Sequence, residues 1–295
     1  MKLDVLCYDA FTDQAGMGNP AGVYFDADDL TEEQMLSVAK QMGYSECAFV
    51  VKPTVPDADY RFRYFTPGYE VDLCGHATVA TTIALAKRLG LKEDKKMRVE
   101  TRAGILDIGY NAERNEVLME QANAKFDPFD GSIADLFSKM ELTEDDYDST
   151  YPIMYGYTGL WTVVIPVKSV AVCKRMVPHN NEFKDVLAAH PFASLHCFCE
   201  ETIHDNCELH ARHFSASGMG NTEDPVTGTA SGVMGAYYIK YMHPDLQNTE
   251  FLIEQGQDMG RDGFCRTFAV KNPDGEITVK IAGTGAYIKT RTAEV

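Results

Sequence analysis

Residues Lys2 to Asp9 alternate apolar and polar side chains, the two-residue period of a half-buried strand. Phe11 to Gly22, with Gly16, Gly18, Asn19, Pro20 and Gly22, reads as a turn-rich loop, and Val23 to Asp26 as a short strand. The period then changes. Apolar residues at 35, 38, 39 and 42 mark one face of a helix over Glu32 to Met42, with Asp29 or Thr31 as its cap and Gly43 as its stop. Ser45 to Val51 is a loop entering a strand, which places Glu46 at the strand mouth among small side chains. Tyr60 to Thr66 alternates again. Pro67-Gly68 turns the chain into Glu70-Val71-Asp72-Leu73-Cys74-Gly75-His76, followed by a helical run of small residues from Ala77 to Leu89. Arg98 to Thr101 and Ile105 to Tyr110 predict a hairpin about Gly104.

Beyond a polar turn at Asn111 to Asn115, Val117 to Gln121 reads as a strand and Ile133 to Met140 as a weak helix in an acidic stretch. Leu160 to Val167 is a strongly apolar strand that Val170 to Cys173 extends past a break. Pro178 to Ala189 reads as helical. Leu195 to Cys199 and Cys207 to His213 are strands joined by a polar turn. Glu223-Asp224-Pro225-Val226-Thr227-Gly228-Thr229 then leads into a second helical run, Val233 to Tyr241. Glu250 to Gln255, Gly263 to Asn272 and Glu276 to Tyr287 close the chain as strands. Each half thus carries several strands, one acid–Gly junction and one small-residue helix at matching points, an internal two-fold repeat of architecture. The expected class is α+β, with a curved sheet around one central helix in each half. The expected halves are residues 1–116 and 117–295, with the last strand free to pack back on the N-terminal half.

Length and composition narrow the function. A chain of 295 residues suits one large or two medium domains, and 45% apolar content suits buried cores. A net charge of −17 argues against nucleic acid or an anionic membrane surface as partner. It leaves room for a small anionic substrate, because a helix N-terminus supplies local positive potential. No apolar run approaches the length of a membrane span, and Met1 to Pro20 lacks the core of a signal peptide. Eight scattered cysteines without a Cys-x-x-Cys pair read as reduced thiols of a cytoplasmic protein.

The two junctions are the candidate chemistry. Glu46 and Asp224 are the candidate acid/base pair, since proton transfer at carbon suits a carboxylate whose pKa is lifted in a water-poor pocket. His76 sits at a helix start. Cys74 is a rival actor, because a thiol near a helix N-terminus and an imidazole can become a nucleophile. The stretch His196, Cys197, Cys199, His204, Cys207, His210, His213 is rich in metal-ligand types, but its spacing is that of alternating strand positions rather than a zinc site. Gly218-Met219-Gly220 and Met259 to Gly263 read as turns, and neither forms a nucleotide-binding fingerprint.

Six ordered motifs go further: Asp9-Ala10-Phe11-Thr12 with Gly18-Asn19-Pro20-Ala21-Gly22-Val23; Ser45-Glu46-Cys47-Ala48-Phe49-Val50; Arg63-Tyr64-Phe65-Thr66-Pro67; Cys74-Gly75-His76-Ala77-Thr78; Glu223-Asp224-Pro225-Val226-Thr227-Gly228-Thr229-Ala230; and Gly256-x-x-Met259-Gly260-Arg261. Together they make the chain resemble the phenazine-biosynthesis-protein-F-like (PhzF-like) isomerases, which have the diaminopimelate-epimerase fold. The resemblance implies two similar domains with the site in the cleft between them, no metal or organic cofactor, and commonly a homodimer. The family's characterised member isomerises trans-2,3-dihydro-3-hydroxyanthranilate. By resemblance Glu46 moves the proton, and His76 and Asp224 polarise the substrate and relay protons. Gly75, Gly228 and Thr229 face its carboxylate, and Asn19, Ser45 and Cys74 complete the binding set. Epimerases of this fold use two opposed cysteines. Here Cys74 stands at the first such place, and Asp224 to Thr229 holds none, which disfavours a two-thiol racemase. A Cys74/His76 thiol enzyme and a non-catalytic binder of small acids are the alternatives.

Overall fold

In a computed structural model, described over residues 1–219 and 221–295, the chain forms two compact units. One is Met1–Glu120 together with Ala282–Val295, and the other is Gln121–Ile281. The first runs through β1 (Lys2–Ala10), β2 (Asn19–Tyr24), α1 (Glu32–Met42), β3 (Glu46–Val51), β4 (Tyr60–Phe65), β5 (Glu70–Val71), α2 (Gly75–Leu89), β6 (Lys95–Thr101), β7 (Gly104–Asn111) and β8 (Glu116–Glu120). The second runs through β9 (Lys125–Pro128), α3 (Ile133–Ser138), β10 (Met154–Tyr157), β11 (Trp161–Pro166), α4 (Val170–Lys174), β12 (Ser194–Cys199), β13 (Leu209–Phe214), β14 (Glu223–Asp224), α5 (Gly228–Tyr237), β15 (Asn248–Gln255), β16 (Gly263–Lys271) and β17 (Ile277–Gly283). The last strand, β18 (Gly285–Glu294), pairs antiparallel with β1. Among the described residues no helix is long and apolar enough to cross a membrane.

Strand register shows the repeat. In the first unit β2 runs parallel to β3 with Ala21 beside Glu46, β3 antiparallel to β4 with Cys47 beside Phe65, and β4 antiparallel to β5 with Phe65 beside Glu70. In the second, β11 runs parallel to β12 with Thr162 beside Ser194, β12 antiparallel to β13 with Leu195 beside Phe214, and β13 antiparallel to β14 with Phe214 beside Glu223. The same fork recurs at the same place. Arg63 donates two hydrogen bonds of 2.8 Å to Glu70, and Arg212 donates two of 2.8 Å to Glu223. Such bidentate pairs fix the short acidic strand that leads into each central helix.

Each central helix is buried because small residues let strands approach it. His76 to Ala86 of α2 are all buried, and the helix packs on β1, β2, β3 and β18. Two of its threonines satisfy their hydroxyls inside the helix: Thr78 donates to the Cys74 carbonyl at 2.7 Å and Thr81 to the Ala77 carbonyl at 2.6 Å. Val79, Ile83 and Leu85 each contribute about 1.5–3 kcal/mol by burial. α5 packs on β10, β11, β15 and β16. A Cβ on Gly235 would lie 2.3 Å from Thr267 Oγ1, so glycine is what lets β16 come close. The peripheral helix α1 has the boundaries its periodicity predicts. Thr31 Oγ1 accepts from the Gln34 amide at 3.3 Å and Gln34 Oε1 accepts from the Thr31 amide at 2.9 Å, a reciprocal cap, while Gly43 ends the helix at φ +70°.

Several expectations are corrected. Asn19 to Gly22 is strand rather than loop, because its small residues fit against β3; a Cβ on Gly22 would meet Cys47 Sγ at 2.5 Å. Val170 to Cys173 is helical, since the Ser169 hydroxyl caps the Val172 amide at 3.3 Å. Within Pro178 to Ala189 only Asn180–Asp185 forms a 3₁₀ turn. The strand expected over Glu276 to Tyr287 is two, β17 and β18. β9 and β10 were not expected. Gly218 adopts φ +83°, as its turn requires, while Gly220 lies outside the described residues.

Candidate active site

The first junction gathers five of the expected residues. Glu46 opens β3, Ser45 precedes it, and Cys74 is the N-cap of α2, which begins with Gly75 and His76. Glu46 Oε2 lies 3.2 Å from His76 Nε2. The Ser45 hydroxyl is 3.4 Å from the same nitrogen. Cys74 Sγ is 3.5 Å from His76 Nδ1 and 3.7 Å from Nε2, so the thiol lies close to both ring nitrogens. Asn19 is buried at the start of β2, two residues before the neighbour of Glu46, and alternation puts it on Glu46's face of the sheet.

This geometry sets the charges. Burial pushes the Glu46 carboxyl up, but His76 beside it, with smaller help from Ser45 and Cys74, holds it below the usual carboxylate value. The lifted pKa expected from the sequence is therefore reversed, because the apolar pocket contains an imidazole. Burial pushes His76 down, yet Cys74 and Glu46 raise it well above an ordinary histidine. Of these two, Glu46 is the holder at neutral pH, since burial and the Glu46 charge raise the Cys74 thiol and keep it protonated. The resting pair is carboxylate and imidazolium. Although the two atoms are close enough to attract, among the described residues no aligned hydrogen bond reaches Glu46 Oε2, which is fully buried. One carboxylate oxygen is thus held in place by charge with lone-pair capacity to spare.

The second junction has the same construction with different chemistry. Thr227 stands where Cys74 does, and Gly228 and Thr229 begin α5 where Gly75 and His76 begin α2. Neither N-cap side chain caps its helix. The Thr227 hydroxyl donates to Asp224 Oδ2 at 2.7 Å, and Thr158 donates to the Thr229 carbonyl at 2.8 Å. Gln255, which the sequence reading did not single out, ties the junction together. Its amide donates to the Asp224 carbonyl at 2.6 Å and accepts from the Thr227 amide at 3.3 Å. The only hint in the sequence is a polar residue ending an apolar strand just before Gly256. Ser194 occupies the place that Glu46 has in the first unit, so the repeat supplies a single carboxylate there.

Glu46, Cys74 and His76 also bring three donor atoms within 4.8 Å of one another, a set that zinc accepts. Holding a metal needs a thiolate and a neutral imidazole, and this site favours the opposite protonation state of both. The histidines of the later stretch have other partners. His210 sits between Glu254 at 2.8 Å and Asp258 at 3.3 Å, and His204 pairs with Asp262.

Residues 8–291 match the family of phenazine biosynthesis-like proteins, PhzC-PhzF. The chain is 43% identical to the uncharacterized isomerase YfhB of Bacillus subtilis, over 100% of this chain and 99% of that protein. It is 32% identical to the trans-2,3-dihydro-3-hydroxyanthranilate isomerase of Pseudomonas aeruginosa, over 94% of each. The crystal structure of a PhzF-family phenazine biosynthesis protein of Bacillus anthracis superposes with a TM-score of 0.95 at 45% identity, covering 100% of both chains. With six motifs in order, the repeated fold and these likenesses in agreement, the chain belongs to the PhzC-PhzF family of phenazine biosynthesis-like proteins and is an isomerase.

Proposed function

We propose that this isomerase moves a proton between carbons of a small carboxylate, with Glu46 as the general acid/base and without metal or organic cofactor. The observation that carries the reading is the buried, ion-paired Glu46 oxygen, to which no described residue makes an aligned hydrogen bond. Glu46 as carboxylate takes a proton from an acidic C–H, leaving an electron pair delocalised into the substrate's own unsaturation. The neutral Glu46 carboxyl, its proton exchanging with solvent between the two steps, then delivers a proton to a second carbon. The His76 imidazolium, 3.2 Å away, opposes the charge that develops during transfer. The uncapped start of α2 at Gly75 offers N–H groups to the substrate carboxylate. In this reading Asp224, Gly228 and Thr229 are the second junction's substrate-binding groups. A positioned acid/base is worth roughly 10²–10⁴-fold in rate.

The contact between Cys74 Sγ and His76 favours one rival, a thiol enzyme. Its weakness is the raised pKa of the buried thiol. The test is proton NMR in D₂O with a panel of trans-2,3-dihydro-3-hydroxyanthranilate, amino acids of both hands and unsaturated cyclic acids. Deuterium entering one compound at carbon supports the proposal. A compound that turns over with no solvent deuterium at any carbon, its isomerised bond reached only through a trapped thioether to Cys74, would replace it with the thiol reading.

A further inference from the structure

Beyond the groups already discussed, the second unit carries a row of polar side chains across three strands. In the β13–β14 pair His213 lies directly opposite Asp224, and in the β12–β13 pair it lies directly opposite His196. Directly opposed residues of antiparallel strands share a face, with Cβ atoms about 4.5–5.5 Å apart. That face looks toward α5: Leu209 and Ala211, four and two residues before His213, and Phe198, two after His196, pack with Val233, Met234 and Tyr237. His196 is fully buried and His213 nearly so. Their Nδ1 atoms are 3.3 Å apart. Among the described residues no protein atom hydrogen-bonds His196 Nε2.

The fold does not require such a row. In the first unit the same three register positions hold Val71, Tyr64 and Ala48. Two imidazoles in an apolar core are costly unless their hydrogen bonds are used. Burial holds His196 well below the ordinary histidine value and His213 down to about 4. Both rings are then neutral at physiological pH. One Nδ1 donates and the other accepts, so the tautomer of each ring fixes that of the other.

We propose that His213, locked in one tautomer by His196, is a positioning residue for Asp224, presenting its remaining ring nitrogen to that carboxylate. The two candidate acids then work in opposite settings: Glu46 beside an imidazolium, Asp224 beside a neutral imidazole. In both settings the carboxylate form is favoured, at Glu46 by a neighbouring charge and at Asp224 by a neutral N–H donor. The titratable groups facing the pair are Asp224 from β14 and Tyr237 from α5; Arg212, Glu223 and Cys197 lie across the sheet. The functional meaning rests on the role proposed above for Asp224, but the test does not need turnover.

The experiment is an NMR titration of full-length protein carrying ¹³C-carboxyl aspartate and ¹⁵N-ring histidine, with the Asp224 signal identified by its loss in Asp224→Asn. Wild type should show both imidazoles neutral from about pH 5 to pH 8. His213→Leu should move the Asp224 midpoint up by about one pH unit through loss of a donor, and His213→Gln, which keeps an N–H donor, should restore most of it. Should His213→Leu not fold, His196→Phe serves. It keeps the volume of the ring and should change the tautomer signature of His213. An unchanged Asp224 midpoint in folded His213→Leu, an unchanged His213 tautomer in His196→Phe, or an imidazolium at either position near pH 6 would overturn the proposal. Failure of the isomerase reading would instead appear as no exchange in any acid with this titration intact.

Discussion

Replacing Glu46 by glutamine should cost stability in a pH-dependent way, because the residue is half of a partly buried ion pair. At 3.2 Å, the attraction between unit charges is about 5 kcal/mol at an effective dielectric of about 20. Desolvation of both groups offsets part of it, and in the variant His76 can discharge rather than stay unpaired. A loss of about 1–3 kcal/mol is therefore expected where both charges count. The window follows from the directions of the shifts. Glu46, held below 4.5, contributes stability above that value, lost as pH falls through its folded pKa. His76, raised above 6.5, contributes fully below that value, and its share is lost as pH rises through its folded pKa. Both contributions are complete between 4.5 and 6.5. Urea unfolding of wild type and Glu46→Gln at about pH 5.5 and about pH 9 should show the larger difference at the lower pH, with similar denaturant slopes. Equal differences at both pH values, or a variant more stable than wild type at pH 5.5, would refute the ion pair as described.

Three further outcomes are expected. Cys74→Ser should keep most of the activity, within about tenfold of wild type, measured as turnover of whichever acid exchanges. Asp224→Asn should fold with an unaltered circular dichroism spectrum yet lose roughly 10²-fold or more in turnover. Gly256→Ala should destabilise by about 2–4 kcal/mol in thermal or urea unfolding, since its φ is +94° and a Cβ would meet the backbone carbonyls of Arg261 at 2.3 Å and Pro225 at 2.7 Å.

Much of this architecture is legible from residue types alone, and the failures have physical causes. The boundaries of α1 could be read because its cap, apolar face and terminal glycine are all local. Both junctions could be read because an acid, a glycine and small residues in order have few other uses. β2 was misread because glycine and proline signal turns, whereas here they make room for a neighbouring strand. α4 was misread because Val and Cys favour strands, and one serine hydroxyl decided otherwise. At the site, Glu46 and His76 could be singled out, but not that they would touch, and so the direction of the Glu46 shift was missed. The pairing of His196 with His213 depends on strand register, which alternation does not reveal.

The measurement that bears most directly on the central claim is the rate of solvent-deuterium entry at carbon, compared among wild type, Glu46→Gln and Cys74→Ser with the same acid. Glu46 as the proton carrier predicts exchange in wild type and in Cys74→Ser, and a rate at least 10²-fold lower in folded Glu46→Gln. Exchange at the wild-type rate in Glu46→Gln, or its loss in folded Cys74→Ser, would contradict that assignment.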